Sequence, residues 1–181
     1  MNHQIGLIGG GNMAQAIIAG LLKSGRSSSD ILVSDPNQDC RKALAEMGIT
    51  SFADSAPVMA QADLIVLAVK PQIMDSVLTT LVDSLRATQV IISIAAGITI
   101  HTIRRQLNDA QNPVVRVMPN TPALIGEGMS ALASDRTLSD DIKIAVQAIF
   151  DACGKALWVP SEDAIDAVTA VSGSGCRATV R

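Results

Sequence analysis

Tyrosine is absent from this 181-residue chain, and one tryptophan and two phenylalanines bring the aromatic share to only 2%. Without aromatic faces there is no platform on which nucleic-acid bases could stack. Positive charge is also scarce, since 14 Lys and Arg stand against 17 Asp and Glu, for a net charge of −3. That balance gives no electrostatic footing for nucleic acid or for an anionic membrane. No apolar run reaches the roughly 20 residues of a membrane span. No basic region precedes the first apolar segment, and a glycine turn soon interrupts it, so a signal peptide is not indicated. The three cysteines, Cys40, Cys153 and Cys176, are odd in number and widely spaced. They suggest neither a disulfide framework nor a zinc site, and a reducing cytoplasm is the expected location. No His, Cys, Asp or Glu cluster has metal-ligand spacing, so no metal is expected. His3 and His101 stand outside any Ser-His-Asp or Cys-His pattern, and Cys40 reads as a packed helix residue rather than a nucleophile. No catalytic residue is assigned.

What is present is a 48% hydrophobic chain with a modest 17% of charged residues, the composition of a compact folded protein. Its most informative stretch is the start, Gln4-Ile5-Gly6-Leu7-Ile8-Gly9-Gly10-Gly11-Asn12-Met13-Ala14. A short apolar strand runs into Gly9-x-Gly11-x-x-Ala14, and a helical pattern follows, which is the dinucleotide-binding fingerprint in its required context. Gly9 permits the tight turn, Gly11 lets a pyrophosphate approach the backbone, and Ala14 lets the helix pack on the strand. The helix's free N–H groups and positive dipole end would face the phosphates. Asp35, at the end of the next apolar run, lies at the expected distance of roughly 20 residues for a ribose-binding acid.

Strand and helix patterns alternate along the rest. Strands are expected at 4–9, 31–35, 48–51, 63–69, 89–94, 113–117, 129–133 and 155–159, and helices at 12–24, 37–46, 55–61, 72–85, 99–107 and 139–152. This order predicts an α/β fold, a Rossmann-like, doubly wound, mostly parallel sheet covered on both faces. The runs Leu64–Val69 and Val90–Ile94 are continuously apolar, as central parallel strands are. The stretch 121–135 is glycine-rich and lacks a helical period, and reads as a loop entering a late antiparallel edge hairpin. Ser139 is the expected N-cap of the last helix, with Gly154 as its C-cap glycine and Gly25 in that role for the first helix. A boundary falls near residue 160, giving a nucleotide-binding domain over 1–160 and the incomplete start of a helical domain over 161–181.

Other strand ends carry candidate binding residues. In Ala68-Val69-Lys70-Pro71, Pro71 suits a helix start, and Lys70 either lies beside the ribose and nicotinamide or is a solvated surface lysine. Ile94, Ala95, Ala96 and Gly97 end the fifth strand, where small residues let a flat ring or sugar approach. Asn120, between Pro119 and Pro122, offers an amide donor and acceptor at the same sheet edge, or is simply a turn residue.

These motifs in this order resemble pyrroline-5-carboxylate reductase. The similarity rests on Ile5-Gly6-x-Ile8-Gly9-x-Gly11-Asn12-Met13-Ala14, Ala68-Val69-Lys70-Pro71 and Val90-Ile91-x-Ser93-Ile94-Ala95-Ala96-Gly97. To these are added Val115-Arg116-x-Met118-Pro119-Asn120-Thr121-Pro122 and Ile165-Asp166-Ala167-Val168-Thr169-Ala170-Val171-Ser172-Gly173-Ser174-Gly175. The resemblance implies NADPH- or NADH-dependent reduction of L-1-pyrroline-5-carboxylate to L-proline, with a C-terminal helical domain and a homo-oligomer in the full-length family. It implies that Ile8, Gly9, Gly10, Gly11, Asn12 and Met13 hold the pyrophosphate, and Ser34, Asp35 and Ser55 the adenosine ribose. Ala68, Val69, Lys70, Pro71, Ile94, Ala95, Ala96 and Asn120 would meet the nicotinamide half. After Gly175 the chain departs from the family's proline and aromatic-rich helix, reading Cys176-Arg177-Ala178-Thr179-Val180-Arg181, as a truncated or frame-altered product would. The alternatives are a non-catalytic nucleotide-binding fragment of such an enzyme, or another Rossmann-type enzyme, a hydroxyacid dehydrogenase or a flavin-like-cofactor NADP reductase. Asp35 favours NADH by charge, yet Ser34 could donate to a 2′-phosphate, so cofactor preference stays open.

Overall fold

Four consecutive apolar residues, Ile5–Ile8, form β1, and all four are buried in the computed structural model, which describes residues 3–165. The parallel strands that follow are β2 (Ile31–Ser34), β3 (Thr50–Phe52), β4 (Leu64–Leu67), β5 (Val90–Ser93) and β6 (Val114–Pro119). β7 (Gly128–Ser134) pairs antiparallel with β6, and β8 (Gly154–Trp158) pairs parallel with β7. The eight strands lie in the order β3-β2-β1-β4-β5-β6-β7-β8. Six α-helices lie wholly within the described residues: α1 (Asn12–Lys23), α2 (Gln38–Glu46), α3 (Ala56–Gln61), α4 (Met74–Leu81), α5 (Ile100–Gln106) and α6 (Asp140–Asp151).

The two faces of the sheet carry separate cores, because successive strand residues point to opposite sides. Leu7, Val33, Val66, Ile92 and Val115 face α1, α2 and α6, where Ile17, Ile18, Leu21, Leu44, Ile149 and Phe150 cover them. Ile8, Leu32, Ile65, Leu67 and Ile91 face α3, α4 and α5, where Val58, Met59, Leu78 and Ile103 do so. On α1 the buried residues Ala14, Ile17, Ile18 and Leu21 recur at the helical period, one stripe on one face.

Several boundaries differ from the sequence reading. The expected helix 72–85 is α4 flanked by 3-10 turns at Pro71–Ile73 and Val82–Ser84. Strand 48–51 begins later, at Thr50, because Gly48 adopts φ +75 and its N–H and that of Ile49 close the end of α2 on Ala45 and Leu44. The 121–135 segment opens with a 3-10 turn, Thr121–Ile125. β7, which follows this turn, pairs antiparallel with β6 as expected, but it is not the edge of the sheet. β8 pairs outside it, which a pattern of local periodicity does not reveal. Helix α6 is entered from Ser139 but ends on Ala152, and Gly154 is the first residue of β8 rather than a helix cap. Gly25, at φ +93, does follow the end of α1.

Candidate functional site

In an open, doubly wound sheet the ligand crevice lies beyond the carboxyl ends of the strands, where strand order reverses. Here that point is between β1 and β4, since β2 and β3 lie to one side and β5 to β8 to the other. A cleft of about 600 Å³ opens at this place. Its wall is made by Gly11, Asn12 and Met13 of the α1 entry, by Ala68 to Pro71 after β4, by Ile94 to Ala96 after β5, and by Met118 and Pro119 ending β6.

The turn after β1 is tightly determined. Gly9 has φ +102, and a Cβ there would lie 2.6 Å from the Ala68 carbonyl oxygen, so β4's end leaves room only for hydrogen. The Gly9 N–H donates to the Ser34 carbonyl at 2.7 Å. Gly10 is fixed from two sides, donating to Asp35 Oδ2 at 2.7 Å and accepting from Gln15 Nε2 at 2.8 Å. Gly11 differs from both. A Cβ placed there meets nothing within 4 Å, because it points into the open cleft. Gly11 is the N-cap of α1, with no side-chain cap and no acidic residue in the first turn. The amino end of a three-turn helix is thus presented bare, with its positive dipole end uncompensated, which suits an anion.

Asp35 is more occupied than a free ribose acid would be. Its Oδ2 holds Gly10 and its Oδ1 accepts the Asn37 N–H at 2.8 Å. The carboxylate therefore braces the glycine turn, and it is not among the residues that line the cleft. The Arg41 guanidinium lies over the same loop, donating to the carbonyls of Asp35 and Pro36, each at 2.8 Å. Ser34 is buried at the end of β2, and Ser55 stands half-buried just before α3; neither lines the cleft. Ile8 is buried beneath the turn. Asn120 lies one residue beyond the lining, and its Oδ1 accepts the Met129 N–H at 2.9 Å, which closes the loop before β7. Met118 and Pro119 are wall residues that the sequence reading did not single out as a site; their place at a strand's carboxyl end was the available signal. Lys70 is exposed and is the one ionisable side chain in the lining.

Elsewhere, Cys153 is buried and its thiol is pushed up by that burial, so it is kept protonated and unreactive at neutral pH. Among the described residues no group of His, Cys, Asp or Glu could hold a metal ion, and no helix is long and apolar enough to cross a membrane.

Comparison with known proteins agrees with this geometry. A family model described as NADP oxidoreductase, coenzyme F420-dependent, matches residues 4–97. The pyrroline-5-carboxylate reductase of Haemophilus influenzae is 41% identical over 175 residues, covering 96% of this chain and 64% of its own length. That of Pseudomonas aeruginosa is 43% identical, covering 95% of this chain and 63% of its own length. Among solved structures, a pyrroline-5-carboxylate reductase from Coxiella burnetii superposes with a TM-score of 0.91 at 35% identity, over 97% of this chain and 66% of that one. The Plasmodium falciparum pyrroline carboxylate reductase with NADP bound gives 0.82 at 29% identity, over 97% of this chain and 64% of that one. A 3-hydroxyisobutyrate dehydrogenase from Mycobacterium tuberculosis shares the fold at 14% identity, with a TM-score of 0.76. The chain thus spans a little under two thirds of the length of the relatives it matches. With the family match running through the glycine turn and the ends of β4 and β5, the chain belongs to the family described as NADP oxidoreductase, coenzyme F420-dependent, and its similar relatives are pyrroline-5-carboxylate reductases.

Proposed function

We propose that this chain carries the dinucleotide-binding half of a pyrroline-5-carboxylate reductase, which reduces L-1-pyrroline-5-carboxylate to L-proline with NADPH or NADH. The observation that carries the reading is the bare amino end of α1 behind Gly11, opening into a cleft built from three further strand ends. The pyrophosphate would be held by the backbone of Gly11 to Met13, with Gly9 and Gly10 shaping the turn and Asp35 bracing it. When bound, the nicotinamide supplies a hydride for the imine carbon. The residues after β4, β5 and β6 would orient that half and keep water from it. Residues 1–160 form the nucleotide-binding domain on this reading, and 161–181 enter a helical domain that completes a homo-oligomer and the substrate site. The enzyme would work in the cytoplasm, consistent with Cys40 and Cys153 being free thiols.

A chimaera tests this reading. This chain's residues 3–165 replace the matching part of the Haemophilus influenzae relative, and proline formation from pyrroline-5-carboxylate is followed by NADPH consumption. NADPH-dependent proline formation is expected. A folded chimaera that binds NADPH yet forms no proline would remove the reductase assignment, and one that binds neither NADPH nor NADH would remove the cofactor assignment as well.

Asp35→Asn probes the adenosine end. An amide can accept only one of the two backbone N–H groups that the carboxylate holds, so the other faces an NH₂ group. Unfolding in urea should show a loss of about 1–2 kcal/mol. Removal of the charge should also raise the NADPH-to-NADH affinity ratio by about tenfold, roughly 1.4 kcal/mol. A stability loss with an unchanged ratio in fluorescence titrations would leave Asp35 as a brace and take it out of the ribose site.

A further inference from the structure

Behind the far wall of the cleft a single carboxylate oxygen joins three segments. Arg116, in β6, is 5% exposed at its side chain, and its Nη1 donates to Glu162 Oε1 at 2.9 Å. The same oxygen accepts the Ile100 N–H, also at 2.9 Å. Ile100 is the first residue of α5, whose N-cap Thr99 spends its hydroxyl on the Thr102 N–H. The Ile100 amide is therefore satisfied from 62 residues away along the chain. Glu162 opens the helical turn 162–165, and three residues on, the fully buried Ile165 packs with Ala131, Ala133, Val159 and Met118.

Each of the three joined segments bears on the cleft. β6 runs three residues past Arg116, and its last two, Met118 and Pro119, line the cleft. α5 is entered directly from the 94–99 loop, whose residues Ile94, Ala95 and Ala96 line it too. The turn 162–165 presses on Met118 from behind. We infer that Arg116 and Glu162 are a positioning pair: they set the loops after β5 and β6 against each other, and so fix the wall on which the nicotinamide half of a dinucleotide rests. The role in binding rests on the function proposed above; the mechanical coupling does not. Burial makes the pair matter, because loss of Glu162 takes a carboxylate away from a buried guanidinium and an acceptor away from the Ile100 N–H, whereas replacing both side chains by apolar ones is commonly tolerated.

Two measurements on the full chain test it. In the ligand-free protein, hydrogen exchange is compared for wild type, Glu162→Ala and the double variant Arg116→Met/Glu162→Met. Exchange in 94–100 and 116–120 should quicken by about tenfold in both variants, with β1 and β2 unchanged, as for a local opening. NADPH and 2′,5′-ADP, the adenosine half alone, are then titrated. NADPH should weaken about fivefold, near 1 kcal/mol, and 2′,5′-ADP less than about twofold. Arg116→Lys, which keeps the charge, should recover part of the NADPH loss. Unchanged exchange in the two loops would overturn the pair's role. Equal weakening of both ligands would also overturn it, since a general structural defect does that. If the wild type binds neither ligand, the cofactor reading fails while the exchange result still decides the coupling.

Discussion

Gly11→Val is expected to abolish dinucleotide binding and to leave the chain folded. The backbone at Gly11 has φ −72 and ψ −173, an extended conformation open to valine, and a Cβ there meets no protein atom within 4 Å. The two γ-methyls would instead occupy the space in front of the α1 amino end, where a pyrophosphate must reach the first free N–H groups. Valine is a poorer N-cap than glycine, so a loss of up to about 1 kcal/mol is expected, or about 2–4 °C in melting temperature for a chain of this size. The binding loss is of another order. Calorimetry with NADPH should show affinity reduced by at least about 100-fold, or about 2.7 kcal/mol. Equal binding by wild type and variant would move the phosphates away from α1. Gly9 gives the contrasting case. Its positive φ and its 2.6 Å approach to the Ala68 carbonyl mean that any side chain disturbs β4's end as well as the ligand, so a Gly9 variant cannot separate folding from binding.

That difference between two neighbouring glycines shows what could be read from the sequence. The fingerprint itself was legible, because a strand, a glycine needing positive φ and an amphipathic helix are local requirements written in consecutive residues. The parallel sheet was legible for a similar reason, since β4 and β5 are uninterrupted apolar runs that only burial on both faces explains. Asp35 could be placed by spacing, but not its grip on Gly10 and Asn37, which needs the geometry of two loops at once. Met118 and Pro119 entered the cleft wall because β6 lies next to β5, a pairing that periodicity does not encode. The Glu162 contacts were out of reach altogether, since their partners stand 46 and 62 residues away. Gly154 was misread for the same reason. A glycine just after a helix looks like a cap, and only the partner strand shows why it is there.

Gly154→Ala should be the most damaging single methyl in the far half of the sheet. Gly154 stands opposite Gly128 in the β7–β8 register, at φ +143. An added Cβ would lie 2.0 Å from the Gly128 carbonyl oxygen and within 2.6 Å of that residue's backbone. Gly128 cannot yield, because its own far side is pressed to within 2.6 Å of Ala123 by the same construction, and its N–H is tied to the Cys153 carbonyl at 2.9 Å. Backbone strain at such a φ costs about 1–3 kcal/mol, and overpacking against a fixed main chain costs a similar amount. Together they predict a loss of about 3–5 kcal/mol in urea unfolding and a fall in melting temperature of roughly 10 °C. Gly126→Ala is the control. It also has a positive φ, +80, but open space around it, so strain alone should cost about 1–2 kcal/mol. Because β8 leads directly to Glu162, quickened hydrogen exchange in the Gly154 variant should spread through 154–162 and reach the loop before α5. Equal, small losses at both glycines would show that β8 does not meet β7 backbone to backbone, and would detach the Arg116–Glu162 tie from the sheet edge that presents it.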